Sequence, residues 1–219
     1  METKRRKLIP EMEGPMARWY AKQRGSEPPL AAWRRQAADL AAGLAPGAAV
    51  LEVAPGPGYL SIELARLGFA VTGLDISHTF VALAASRGRA EGVAVDFRHG
   101  DVADLPFPDD SFNMVVCQAA FKNFSSPVTA LDQIHRVLRP GGEAVILDMN
   151  RGATDDDIRA DVSGMRLNTF NSSVTRLTLG WLRSRAYTAA DFERVAAESA
   201  FHGSAAHADG MTLEVRLTK

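Results

Sequence analysis

The residues with most chemical potential sit in Glu52-Val53-Ala54-Pro55-Gly56-Pro57-Gly58-Tyr59, a turn that leaves an apolar run and enters a helical pattern. Such a turn lets a ligand approach the backbone and meet N–H groups at a helix N-terminus. Its prolines remove two donors and stiffen the loop, so the amides of Ala54, Gly56 and Gly58 are the ones expected to point at a ligand. Three acids, Glu52, Asp75 and Asp101, follow three successive apolar runs. An acid at the end of a second strand is placed to accept both hydroxyls of a ribose. An acid at the end of a third can accept the exocyclic amine of an adenine, and Glu52 beside the loop can compensate a positive group. Each acid also has a plainer reading. Glu52 can cap loop amides, Asp75 can cap the next helix and Asp101 can open a turn toward Pro106.

Ribose, adenine and a cation together describe S-adenosylmethionine (SAM). A pyrophosphate dinucleotide is poorly served by Glu52, because both are negative. The elements that must position these acids are short. Strands are expected at Ala49–Val53, Phe69–Leu74, Val93–Arg98, Phe112–Cys117 and Glu143–Leu147. Helices are expected at Tyr59–Leu67, at His78–Arg89 behind a Ser77 cap, and from Ser126-Pro127 to Arg139. Apolar strands alternating with helices mean parallel βαβ units with helices on both faces. Two helices come first, Met12–Arg24 and Pro28-Pro29 to Ala42. After the fifth strand, Thr154-Asp155-Asp156-Asp157 is a strong helix start. Helical segments at Asp155–Phe170, Val174–Arg183 and Thr188–Ser199 then lead to two strands, Gly203–His207 and Met211–Leu217, with a hairpin turn near Asp209-Gly210.

The balance of the 219 residues narrows the classes. Hydrophobic residues are 46% and charged residues 23%, enough for a packed core. The formal net charge of -1 does not favour nucleic acid as a partner. One cysteine, Cys117, excludes an intramolecular disulfide and a Cys-rich metal site, and reads as a buried inert thiol. No run approaches the roughly 20 apolar residues of a membrane span. The basic start, Met1 to Lys7, lacks the apolar stretch of a signal peptide and reads as a solvated arm of a cytoplasmic protein.

The span Val50 to Met149 resembles class I SAM-dependent methyltransferases, in particular the small-molecule group similar to the ubiquinone/menaquinone C-methylases. The likeness rests on Val50 to Gly58, Val71-Thr72-Gly73-Leu74-Asp75-Ile76-Ser77, Gly100 to Phe112 and Arg136-Val137-Leu138-Arg139-Pro140-Gly141-Gly142, in the family's order. It implies an α/β, Rossmann-like, doubly wound and mostly parallel seven-stranded sheet with a C-terminal antiparallel hairpin. Residues 1–46 would form the basic arm and a helical lid, and 47–219 the SAM-binding domain, with a helical cap at about 151–185. The resemblance also implies that Asp75 holds the ribose, that Asp101 meets the adenine edge and that Ile76 and Val102 sandwich the ring. Gln118 would lie near the methionine end, and S-adenosylhomocysteine (SAH) would be the product. Ala54 departs from the family's usual glycine. Its methyl is expected to crowd the methionine portion or to hold φ negative, with binding surviving in a slightly altered loop.

Methyl transfer from a sulfonium needs alignment of the acceptor about 3–3.5 Å from the methyl carbon and exclusion of water. No catalytic triad and no metal is expected, and the catalytic residue is left open. His135 reads as structural; His78 and His99, placed where they could border the cofactor, read as structural or solvent-facing. Acceptor-binding candidates are Trp19 and Tyr20 on an N-terminal helix, Phe121, Lys122 and Asn123 in the stretch to Phe124 after strand four, and Asp148, Asn150 and Arg151 after strand five. Packing is the competing role for Trp19 and Phe121, and a solvated charge for Lys122 and Arg151. The Asn/Asp-Pro-Pro-aromatic motif of amino-methylating nucleic-acid enzymes is absent after strand four, where the chain reads Gln118-Ala119-Ala120-Phe121. The function expected is methyl transfer to O, N or C of a small-molecule acceptor by a monomer or homodimer, without nucleic acid or membrane. A non-catalytic SAM-binding protein is the alternative, and a nicotinamide-dependent oxidoreductase a weaker one.

Overall fold

A computed structural model of the chain describes residues 11–25, 29–165 and 169–219. The basic arm expected at residues 1–7 and Pro28 lie outside them. Seven strands form one sheet: β1 (Ala49–Val53), β2 (Ala70–Asp75), β3 (Asp96–His99), β4 (Phe112–Gln118), β5 (Leu138–Met149), β6 (Ala205–Asp209) and β7 (Thr212–Thr218). Their order is β3-β2-β1-β4-β5-β7-β6, parallel from β3 to β5. β7 runs antiparallel between β5 and β6, as the terminal hairpin chemistry implies.

The helices are α1 (Gly14–Arg24), α2 (Pro29–Ala41), α3 (Tyr59–Arg66), α4 (His78–Ala90), α5 (Pro127–Val137), α6 (Asp155–Gly164), α7 (Thr169–Arg185) and α8 (Ala189–Ala197). Alternation along the central strands explains why both faces are covered. Leu51, Val53, Val115, Cys117, Ala144 and Ile146 pack in the cluster that includes α5 and α8 residues. Val50, Met114, Val116 and Val145 pack in the opposite cluster with Leu60 and Leu64 of α3 and Ala37 and Leu40 of α2. Successive side chains point to opposite faces, so two-sided burial produces the unbroken apolar runs seen in the sequence.

Three boundaries differ from expectation. β3 begins at Asp96 instead of Val93, because Thr72 of β2 finds its first partner there. α5 stops at Val137, and β5 begins at once and runs through Pro140-Gly141-Gly142. That stretch is held extended by the chain end: Gly141 N–H donates to Lys219 O (2.9 Å) and Lys219 N–H to Gly142 O (3.0 Å). Ser126 precedes α5 but its side chain caps nothing; its carbonyl accepts the Ala130 N–H. The Thr154 start of α6 is a full capping box, since Thr154 and Asp157 bond each other's backbone N–H. Thr188 and Asp191 repeat the device at α8. α6 ends at Gly164, earlier than the pattern suggested, and α7 begins at Thr169.

The N-terminal segment is tied to the sheet's carboxyl edge. Ser77 Oγ donates to Met12 O (2.8 Å), Thr79 N–H donates to Glu13 (3.0 Å) and Tyr59 OH donates to Ala21 O (2.6 Å). Tyr20 meets Phe80 edge-on at 5.9 Å. Among the described residues no helix is long and apolar enough to cross a membrane.

Candidate active site

β1 and β4 are neighbours, yet β1 crosses over toward β2 and β4 toward β5. The strand order therefore reverses between these two parallel strands, and in open α/β sheets ligands bind at the carboxyl ends of such a switch point. A cavity of about 750 Å³ lies there, within the range of small-molecule sites. The two strand ends that frame it are strained alike. Ala54 after β1 and Ala119 after β4 have φ of +54° and +56°, a region that costs a non-glycine residue about 1–2 kcal/mol. Of the two alternatives the sequence left for Ala54, a negative φ is overturned. Its N–H is claimed by Leu74 O of β2 (2.8 Å), as the Ala119 N–H is by Leu147 O of β5 (2.7 Å), and these ladder bonds bend the chain over. Strain of this kind gathers at functional sites.

The expectation that three loop amides face a ligand also fails. Ala54 N–H is in the ladder, Gly58 N–H closes the turn onto Pro55 O (3.1 Å) and Gly56 N–H donates to Asp75 Oδ2 (2.8 Å). Buried amides must find partners, and here each finds one within the protein. Gly56 nonetheless lines the cavity, with φ +54° and nothing within 4 Å of where a Cβ would stand. Gly58 does not line it. At φ +80° a Cβ there would lie 2.7 Å from Phe97 Cζ and 2.8 Å from Ala84 Cβ, so Gly58 serves helix–sheet packing.

Asp75 is anchored by two amides, from Gly56 and from Ser77 (2.8 Å each), and lines the cavity. Each oxygen keeps a lone pair for another donor. Burial raises its pKa, and the two amide bonds oppose that shift. Asp101 accepts the Ala103 N–H through Oδ1 (3.0 Å), which realises the turn-opening reading, while its carboxylate still lines the cavity beside Ile76 and Val102. Gln118 borders the same space, and its buried Oε1 has no partner. Glu52 is only 3% exposed and accepts from the Ser61 hydroxyl of α3. Burial pushes its carboxyl up to about 7. It lies off the main cavity, in the wall of a smaller adjoining one.

Across the switch point, Lys122 and Asp148 form a buried ion pair (Nζ–Oδ1 2.7 Å) at the cavity wall. Asp148 also accepts the N–H groups of Lys122 (3.0 Å) and Met149 (2.7 Å), and Lys122 Nζ donates to Ala119 O (2.5 Å). The solvated-charge reading of Lys122 is therefore corrected. Asn123, Tyr20 and Arg24 line the cavity as well, with Leu147, Met149, Leu179, Leu182 and Phe124 supplying apolar wall.

Four acceptor candidates lie elsewhere. Trp19 points outward at 62% exposure, because docking of α1 turns Tyr20 inward instead. Phe121 is fully buried among Phe124, Tyr187 and Phe192. Asn150 shapes a turn, donating to Gly210 O and accepting from Gly152 N–H. Arg151 pairs with Asp191. Asp148, named with Asn150 and Arg151 from the sequence, does line the cavity, and Arg24, Leu179 and Leu182 are among the lining residues the sequence did not single out. Burial also raises the Cys117 thiol far above its ordinary value. His78 and His99 stack on each other at 3.6 Å, and His135 packs edge-on against Phe201; none of the three lines the cavity.

Residues 51–146, the span that builds this sheet edge, match the family of the methyltransferase domain. That match covers less than half of the chain. The chain is similar to a demethylmenaquinone methyltransferase of Thermus thermophilus, 39% identical over 118 residues, which are 53% of this chain and 53% of that protein. It thus spans about half the length of the curated relatives it matches. A SAM-dependent methyltransferase structure from Aquifex aeolicus shares the fold at 16% identity, with a TM-score of 0.68 over 91% of this chain and 96% of that one. The cyclase SpnF is 31% identical over 54% of this chain and 46% of its own, with a TM-score of 0.52.

Proposed function

We propose that the chain is a SAM-dependent methyltransferase acting on a small, flat, largely apolar acceptor of the quinol class, by transfer to carbon or oxygen. One observation carries this reading. A single cavity runs across the switch point from the acids Asp75 and Asp101 to the buried pair Lys122–Asp148 and its apolar wall. The residues fit the cofactor. Gly56 leaves open a space that a side chain would fill, and Gln118 presents an orphaned acceptor. Asp75 takes the ribose hydroxyls, Ile76 and Val102 cover the adenine faces and Asp101 takes its amine.

Bound SAM supplies an activated methyl group for in-line displacement. The protein's part is to align the acceptor and keep out water. Two N–H donors of Lys122 Nζ are used by Asp148 and Ala119 O, leaving one for an acceptor oxygen. Leu179 and Leu182 would pack against the flat acceptor, and Asn123 would offer its edge a polar partner. Residues 1–46 act as a lid through Tyr20, and 151–185 as a cap through α7. The quinol class follows from the name of the Thermus relative and from the apolar wall.

The test is incubation of the protein with SAM and 1,4-naphthoquinol. Formation of SAH together with a naphthoquinol heavier by one methylene group supports the reading. Binding of SAH without product from any flat phenolic acceptor favours the non-catalytic or non-transferring alternative, a use to which the likeness to a cyclase lends weight.

A further inference from the structure

Seven large apolar side chains are strongly exposed among the described residues, and five of them lie on two helices. Met16 and Trp19 are on α1; Val174, Leu177 and Trp181 are on α7. Positions 174, 177 and 181 share one helix face, as do 16 and 19. Leu177 is the most exposed of all, at 77%. These stripes are not the edge of the core. The core-facing needs of the same helices are met by other residues: Ala17 and Ala21 are buried on α1, and Leu179 and Leu182 of α7 line the main cavity. A helix with apolar residues on its inner and outer sides has a second surface to cover.

Charge selects what covers it. Neither helix carries an acid, and each carries three basic residues: Arg18, Lys22 and Arg24 on α1, and Arg176, Arg183 and Arg185 on α7. Arg18, Lys22 and Arg176 are exposed, and Arg185 stacks on Trp181 at 5.4 Å. The acids of the flanking segments are engaged elsewhere. Glu13 accepts from Thr79, Asp155 pairs with Arg183, Asp156 with Arg159, and Asp157 closes the α6 capping box. Asp161 borders the cavity. In a chain of formal net charge -1, the two helices are thus a local excess of one sign. Exposed Trp, Leu and Met beside Arg and Lys, without acids, is the composition of helices that lie in the headgroup layer of an anionic bilayer. A second copy of the chain fits less well, because a two-fold contact sets like charges against each other.

We propose that the outer faces of α1 and α7 dock peripherally on an anionic lipid bilayer, with Trp19, Leu177 and Trp181 entering the headgroup layer and Arg18, Lys22 and Arg176 meeting lipid phosphates. Both helices also wall the main cavity, through Tyr20 and Arg24 on one and Leu179 and Leu182 on the other. Docking therefore sets the lid and the cap of that cavity against lipid, a source of apolar ligands. The inference departs from the sequence expectation of no membrane partner, which rested on the lack of a spanning run; surface docking needs none. It does not depend on which acceptor is methylated.

The experiment is flotation of the full chain with vesicles of phosphatidylcholine alone and of phosphatidylcholine mixed equally with phosphatidylglycerol. Partition onto the mixed vesicles should be at least about tenfold stronger, the scale of two basic residues near an anionic surface, and should fall as salt is raised. Tryptophan emission should shift to the blue on those vesicles as Trp19 and Trp181 leave water. Leu177→Asp should weaken partition about tenfold or more without lowering the melting temperature, because the side chain is exposed. Arg18→Glu combined with Arg176→Glu should remove the preference for phosphatidylglycerol. Equal partition onto both kinds of vesicle, or onto neither, overturns the inference. So does undiminished partition of Leu177→Asp, which means that the basic start of the chain alone holds the lipid. A dimer of the intact protein that Leu177→Asp converts to a monomer assigns the stripe to a second copy and overturns it as well.

Discussion

On the β1–β3 side of the cavity, polar groups are fixed by backbone. Asp75 is held by the amides of Gly56 and Ser77, and Asp101 by that of Ala103. On the β4–β5 side the central group is a pair of side chains, Lys122 and Asp148, 26 residues apart in sequence and joined across neighbouring strands. The apolar wall there comes partly from α7, a hundred residues or more from the loop that begins the site. The first side is local and recurs as motifs. The second is assembled by tertiary structure, from segments that no local spacing links.

The largest expected effects separate packing from ligand approach within one loop. Gly58→Val should cost about 3 kcal/mol or more, or abolish folding, since it combines a strained φ with a collision against Phe97 and Ala84. Gly56→Val should cost only about 1–2 kcal/mol of stability yet abolish SAH binding. Thermal denaturation and titration of both variants check this. A Gly58→Val protein that folds normally would remove the distinction.

The two acids come next. Asp148→Ala strands a buried ammonium and two amides, and should cost about 3–5 kcal/mol by chemical denaturation. Asp75→Ala should cost less stability, about 1–3 kcal/mol for the freed amides, but reduce SAH affinity about 100-fold or more through loss of two charge-assisted hydrogen bonds. If the ranking is reversed, the assignment of the two sides is wrong.

Protonation gives a smaller effect. Burial holds the Glu52 carboxyl at about 7, above its ordinary 4.5, so the folded protein keeps a proton that the unfolded chain releases. That contribution to stability is complete below the ordinary value and is lost as pH rises through about 7. Unfolding free energy should therefore decline across this window, with Asp75 adding a slope of the same sign at lower pH. Glu52→Gln should flatten the upper part. The smallest change expected is Ala54→Gly, which relieves the left-handed backbone while loosening the unfolded chain, and should stay within about 1 kcal/mol of the original stability.

The same contrast explains what the sequence disclosed. Strands buried on both faces are continuous apolar runs, so β1, β2, β4 and the core of β5 are legible. Acids at strand ends were legible as a set because three of them follow three neighbouring strands. Trp19 and Tyr20 were not separable, because adjacent helical residues differ by about 100° and only docking of α1 on α4 selects the inward one. Gly58 looked like a ligand-facing glycine because its collision partners, Phe97 and Ala84, belong to other elements. The pairing of Lys122 with Asp148 depends on a contact between segments that no local spacing records.

The central claim is that Asp75, Asp101 and the open Gly56 turn form a SAM site and not a dinucleotide site. Calorimetric titration of the purified chain with SAM and SAH, with NADH as control, tests it most directly. Micromolar binding of SAM and SAH with no NADH binding is the predicted result. Binding of NADH alone, or of none of the three, would contradict it.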